Sequence, residues 1–117
     1  MHDLNDPARL PLSPDDVERK LSDIPEWDAD MEVGTLSRTF RFQNFMQGMN
    51  FANVIARLAE EQNHHPDLLI QFKSVTVTLT THSAGGVTEQ DFLLASKINR
   101  LPETTGEEQK TEDFLAG

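Results

Sequence analysis

Three of the four histidines in the chain sit in two short strings, "EEQNHHPD" (residues 60–67) and "TTHS" (residues 80–83). Imidazole, with an unperturbed pKa of about 6.5, is the side chain that both gives and takes protons near neutrality. A cluster of His64, His65 and His82 with one or two carboxylates would therefore supply an acid and a base at once. The carboxylates at hand are Glu60, one helical turn before His64, and Asp91, nine positions after His82.

Each of these residues also has a plain structural use. A histidine pair at a helix C-terminus interacts well with the helix dipole. Glu60 suits an i,i+4 surface pair, and Asp91 suits a helix cap. His82 beside a glycine turn suits a surface, and Trp27 suits a core anchor. A metal site is the other chemical option, since Glu60, His64, His65 and His82 are all possible zinc ligands. Adjacent histidines at a helix end rarely face one ion, however, and the H-E-x-x-H pattern is absent, so no metal is expected. With no cysteine and no G-x-S-x-G string, nucleophilic catalysis has no candidate either. Neither a P-loop nor a dinucleotide fingerprint occurs.

The totals narrow the class further. The chain has 117 residues, with ten Lys and Arg against twenty Asp and Glu, for a formal charge of −10. That field repels phosphate backbones and argues against direct nucleic-acid binding. The absence of cysteine fits a reducing compartment. The opening "MHDLNDPARLPLSP" has no basic region followed by an apolar run, and no stretch approaches the length of a membrane span. The expectation is a cytoplasmic protein with no membrane association.

The positioning elements follow from hydrophobic periodicity. Residues 1–12 read as a flexible lead. Ser13-Pro14-Asp15-Asp16 starts a helix, with a hydroxyl cap, a proline at the first helical position and acids in the first turn. Two strands joined near Gly34 are expected between Trp27 and Gln43, with Leu36, Phe40 and Phe42 on one face and Arg38 breaking the alternation. Asn44 caps a second helix to about Asn63, its stripe expected along Phe45, Met49, Ala52, Ile55, Ala56 and Ala59 with Phe51 and Leu58 widening it, and Pro66 closes the segment. Leu68–Phe72 and the alternating "SVTVTLTTH" form two more strands. Thr88 opens a third helix with Asp91 as capping-box partner, and Pro102 stops it. Residues 103–117 read as an acidic, disordered tail. The domain at 13–102 is thus α-ββ-α-ββ-α: an α+β two-layer fold with a four-stranded antiparallel sheet covered on one face by helices.

The spacing is itself distinctive. Glu60, three residues, His64-His65-Pro66, five residues, Phe72, nine residues, His82, eight residues and Asp91 resembles the signature of the pterin-4a-carbinolamine dehydratases. The strings "HHPDL", "VTVTLTTHSAGGVTEQD" and "LASKI" are similar to that family too, over roughly residues 13–101. The resemblance implies a hydro-lyase that dehydrates 4a-hydroxytetrahydropterin to quinonoid dihydropterin. Such an enzyme recycles the cofactor of aromatic amino-acid hydroxylation. It implies general acid/base work by His64, His65 and His82, with Glu60, Asp91, Pro66 and Trp27 orienting them or meeting the substrate. It implies no cofactor beyond the pterin substrate, a homodimer or homotetramer, and an aromatic amino-acid hydroxylase as a candidate partner. Departures are Leu68-Leu69 where some members have an aromatic pair, Phe72 for a tyrosine, and Gln90 for a basic residue. Two alternatives stand beside this: a protein-binding dimerisation or transcriptional cofactor module of the same fold, and action in another, molybdopterin-related pterin pathway.

Overall fold

The computed structural model describes residues 10–106. Three helices, α1 (Pro14–Leu21), α2 (Phe45–Gln62) and α3 (Glu89–Asn99), alternate with the strand pairs β1 (Asp28–Asp30) and β2 (Thr35–Arg41), then β3 (Asp67–Gln71) and β4 (Ser74–Leu79). The sheet is antiparallel throughout, in the order β1-β2-β4-β3. This is the α+β fold that the periodicity predicts. Of the expected flexible lead, residues 1–9 lie outside the described residues, while the Leu12 N–H donates to the Val87 carbonyl at 2.9 Å. Of the expected tail, Glu103–Gly106 forms a 3-10 turn against α2, and residues 107–117 lie outside the description.

The core lies between the helices and one face of the sheet. Leu36 of β2 and Val75, Val77 and Leu79 of β4 are fully buried, facing Phe51 and Ile55 of α2 and Leu94, Ala95 and Ile98 of α3. A fully buried aliphatic side chain is worth about 1.5–3 kcal/mol, so this layer holds the helices in place. Helix α1, at eight residues, is too short to be stable alone. It is held by Val17, which is buried, and by its cap, in which Ser13 Oγ accepts the Asp16 N–H.

Two expectations need correcting. The buried face of α2 is Gly48, Phe51, Ala52, Ile55 and Ala59, whereas Phe45 and Ala56 are exposed. The helix is turned so that its glycine meets the sheet, where a Cβ on Gly48 would lie 3.3 Å from Val75 Cγ2. Nor does Pro66 end the helix. Asn63 does so, three residues earlier, in the left-handed conformation (φ 55°, ψ 44°). Arg38, which broke the alternation of β2, stays on the helix-covered face. Its guanidinium lies 4.2 Å from the Phe40 ring centroid and donates to Asn99 Oδ1 at 2.6 Å. Aliphatic stem and stacked head let a charged residue occupy an inward position.

Candidate active site

The site begins with the way α2 stops. Asparagine tolerates the left-handed region better than other non-glycine residues. The turn at Asn63 folds the chain back so that the His64 N–H donates to the Ala59 carbonyl at 3.1 Å. His64 is thereby directed inward and only 7% exposed, and its Nε2 lies 2.6 Å from Asp91 Oδ1.

Asp91 is at the third position of α3 and is fully buried. Its two oxygens are divided between two tasks. Oδ2 accepts the Thr88 N–H at 2.9 Å, which completes the capping box, and the Thr81 hydroxyl at 2.8 Å. Oδ1 takes the His64 ring. The residue therefore caps the helix and holds the histidine together; neither use displaces the other. A carboxylate with three donors is satisfied in a place that water does not reach.

His65 faces the other way. Its Nε2 is 2.6 Å from Glu60 Oε2, in a pair whose side chains are 54% and 76% exposed. Each carboxylate of the sequence pattern thus meets one member of the histidine doublet. His82 opens an exposed 3-10 turn, His82–Ala84, directly after Thr81. Because Thr81 is bonded to Asp91, and Asp91 to His64, the His82 turn belongs to the same hydrogen-bonded assembly. That turn is backed by the β1–β2 turn. Thr80 Oγ1 donates to the Gly34 carbonyl at 2.6 Å, and a Cβ on Gly34 (φ 75°) would lie 2.9 Å from Gly86 Cα. Gly34 is therefore needed both for its positive φ and for its close approach.

Not every residue of the sequence pattern arrives here. Trp27 is buried, and its Nε1 donates to Asn99 Oδ1 at 2.8 Å. Asn99 ends α3, eight residues or about 12 Å of helix from Asp91. Phe72 lies beyond the far end of β3, about 20 Å of strand from Pro66, and is 69% exposed. Pro66 leads directly into β3. Three residues of the assembly were absent from the sequence pattern: Thr81, Thr88 as an acceptor and donor beside it, and Gln62. Gln62 Nε2 donates to the Gln90 carbonyl at 2.8 Å and clamps the end of α2 to the start of α3. Adjacency to His82 was the one available signal for Thr81; Gln62 had none.

A cavity of about 500 Å³ lies elsewhere, between the outer part of β2 and the end of α3, lined by Arg38, Phe40, Phe42 and Asn99 among others. It contains no histidine. The chemistry, not the concavity, locates the candidate site, because among the described residues the histidine assembly is where imidazoles meet oriented carboxylates. Among the described residues, no group of three or more His, Asp or Glu side chains is placed to hold a metal ion.

The chain is thus a two-layer α+β fold with a buried histidine–carboxylate pair between two helix ends and another histidine on an adjoining turn. Comparison with known proteins gives its family. The family model for pterin 4 alpha carbinolamine dehydratase matches residues 10–101, and the chain belongs to that family. A relative from Sulfolobus acidocaldarius, provisionally named pterin-4-alpha-carbinolamine dehydratase, is 41% identical over 92 residues, covering 79% of this chain and 99% of its own. One from Thermomicrobium roseum with the same provisional name is 47% identical over 81 residues, covering 69% and 85%. A Brucella melitensis crystal structure, described as a transcriptional coactivator/pterin dehydratase, superposes with a TM-score of 0.72. It is 32% identical and covers 76% of this chain and 95% of its own. A pterin dehydratase-like protein described as a RuBisCO assembly factor of the alpha-carboxysome shares the fold, with a TM-score of 0.54 at 24% identity over 63% and 86%. Family membership supports a pterin carbinolamine dehydratase, a hydro-lyase. No helix among the described residues is long and apolar enough to cross a membrane.

Proposed function

We propose that this protein dehydrates 4a-hydroxytetrahydropterin to quinonoid dihydropterin, recycling the pterin used in aromatic amino-acid hydroxylation, and that His64 and His82 carry the proton transfers. The reaction breaks the C4a–O bond and forms a C4a=N5 bond. A base takes the N5 proton, the N5 electron pair forms the new π bond, and an acid protonates the departing oxygen to give water. Positioned groups of this kind each contribute about 10²–10⁴-fold.

The observation that carries the reading is the buried His64–Asp91 pair at 2.6 Å. A neutral ring that donates from Nε2 to a carboxylate has its lone pair on Nδ1, and in that form His64 suits the base at N5. His82, exposed on the adjoining turn, is then the acid at the C4a oxygen. His65, oriented by Glu60, binds the pterin, and Pro66 fixes the chain between the doublet and β3. Trp27, tied to Asn99, acts from the core by keeping α3 in place. No metal or further cofactor enters this scheme.

The test uses 4a-carbinolamine generated by an aromatic amino-acid hydroxylase, with its decay followed by ultraviolet absorbance. The unaltered protein should accelerate that decay. Replacing His64 and His82 together by alanine should lower turnover by roughly 10² or more while the fold persists. Near-normal turnover in a folded double variant would sink the assignment.

A second reading, a protein-binding module, draws on the coactivator description of the Brucella relative and on Phe45 and Met46, 44% and 53% exposed on the first turn of α2. A wild-type protein that leaves the carbinolamine decay at its spontaneous rate favours that reading, or action on a different pterin.

A further inference from the structure

Of the three donors to Asp91, His64 follows the end of α2 and Thr88 caps the start of α3, while the Thr81 hydroxyl comes from the segment just after β4. It donates to Asp91 Oδ2 at 2.8 Å, and its oxygen lies 2.8 Å from Thr88 Oγ1. Thr88 Oγ1 accepts the Gln90 N–H at 3.1 Å, which leaves its own proton for Thr81. The bonds then run one way, from the Thr88 hydroxyl through the Thr81 hydroxyl to the carboxylate, and each polarises the next. Thr81, Thr88 and Asp91 are 3%, 0% and 0% exposed. Water is therefore a poor substitute for any of these partners.

The main chain of Thr81 does something different. Its N–H donates to the Gly86 carbonyl at 3.0 Å, and its carbonyl accepts the Ala84 and Gly85 N–H groups at 2.9 and 3.0 Å. Those bonds close the turn that starts at the next residue, His82. By its backbone Thr81 holds the His82 turn; by its side chain it holds the carboxylate that holds His64.

The geometry points to Thr81 as a positioning residue of the proposed dehydratase site. Its hydroxyl pins the Asp91 carboxylate so that His64 keeps one ring orientation and one tautomer, and it keeps the His82 turn in register with that imidazole. This inference rests on the assignment of His64 and His82 to proton transfer. A terminal carboxylate torsion is intrinsically broad. Held on Oδ2 by the Thr88 N–H alone, the carboxylate would be freer to rotate, and the ring bonded to Oδ1 would follow. A threonine whose hydroxyl is merely satisfied would leave His64 unaffected by its removal, and that difference is measurable.

The variants are Thr81→Val, which keeps the shape and removes the donor, and Thr81→Ser, which keeps the donor. In the full chain, Thr81→Val should lower kcat about tenfold, the worth of one hydrogen bond to a charged group, with KM within about twofold. The His64 ring nitrogens, read by ¹⁵N NMR, should change from one Nε2–H tautomer to a mixture. Thr81→Ser should restore both readouts. A folded Thr81→Val with unchanged kcat and a single tautomer overturns the proposal. So does a Thr81→Ser as impaired as Thr81→Val, because the methyl packing would then be what matters. Should Thr81→Val fail to fold, the wild-type Thr81 hydroxyl proton decides: it should appear as a slowly exchanging resonance, and its absence overturns the proposal. The tautomer is read without turnover. A wild type inactive on carbinolamine whose His64 tautomer still depends on Thr81 sinks the activity and upholds the positioning role.

Discussion

The two histidine–carboxylate pairs have the same 2.6 Å separation and different surroundings. His65 and Glu60 are 54% and 76% exposed, where an ion pair is screened and worth about 0–1 kcal/mol. His64 and Asp91 are 7% and 0% exposed, and removing the carboxylate orphans three donors at once. Breaking a buried pair by deleting one partner costs about 3–5 kcal/mol. Asp91→Ala should therefore lower unfolding free energy by about 3 kcal/mol or more in urea titrations, and Glu60→Ala by less than about 1 kcal/mol. Equal losses would show that burial does not separate the pairs. The spacing of Glu60 and Asp91 to the doublet was legible in the sequence. That one pair is sealed in and the other solvated was not, since spacing says nothing of what packs over a residue.

At the level of elements, the turn that aims His64 depends on Asn63. Forcing a Cβ-bearing residue into the left-handed region costs about 1–2 kcal/mol, and asparagine bears less of that than alanine. Asn63→Gly should leave the melting temperature near that of the wild type, whereas Asn63→Ala should destabilise by about 1 kcal/mol. Thermal unfolding followed by circular dichroism distinguishes them, and a glycine variant worse than the alanine one would contradict the role given to φ. Caps were the most legible features: Ser13, Asn44 and Thr88 each begin the helix their chemistry announces. The buried face of α2 was less legible, because Phe45, expected on it, is exposed, while Gly48 is buried. Hydrophobicity favours burying the phenylalanine, but close approach of the helix to Val75 requires the glycine.

For the molecule as a whole, β3 is an edge strand with one side unpaired among the described residues, and Leu69 within it and Phe72 just after it are 56% and 69% exposed. An exposed apolar edge is a template for pairing with a second copy. The homodimer or homotetramer expected from the sequence is accordingly proposed to form there. The double variant Leu69→Lys with Phe72→Lys should be monomeric by light scattering while keeping its secondary structure, since edge lysines oppose strand pairing. A wild-type protein that is monomeric at micromolar concentration would remove the basis for that proposal.

By itself the sequence determined the order of elements, the antiparallel hairpins, the caps and the three histidines with their two carboxylates. Those are properties of local periodicity, turn chemistry and spacing, and each can be read within a few residues. Tertiary structure alone decided which imidazole is buried, how Asp91 divides its oxygens, and that Thr81 joins the His82 turn to the His64 pair. It also placed Trp27 and Phe72 away from the histidine assembly, although Phe72 stands at a fixed spacing within the sequence pattern. These outcomes depend on which helix end meets which strand end, and that is set by packing in the shared core between residues far apart in the chain.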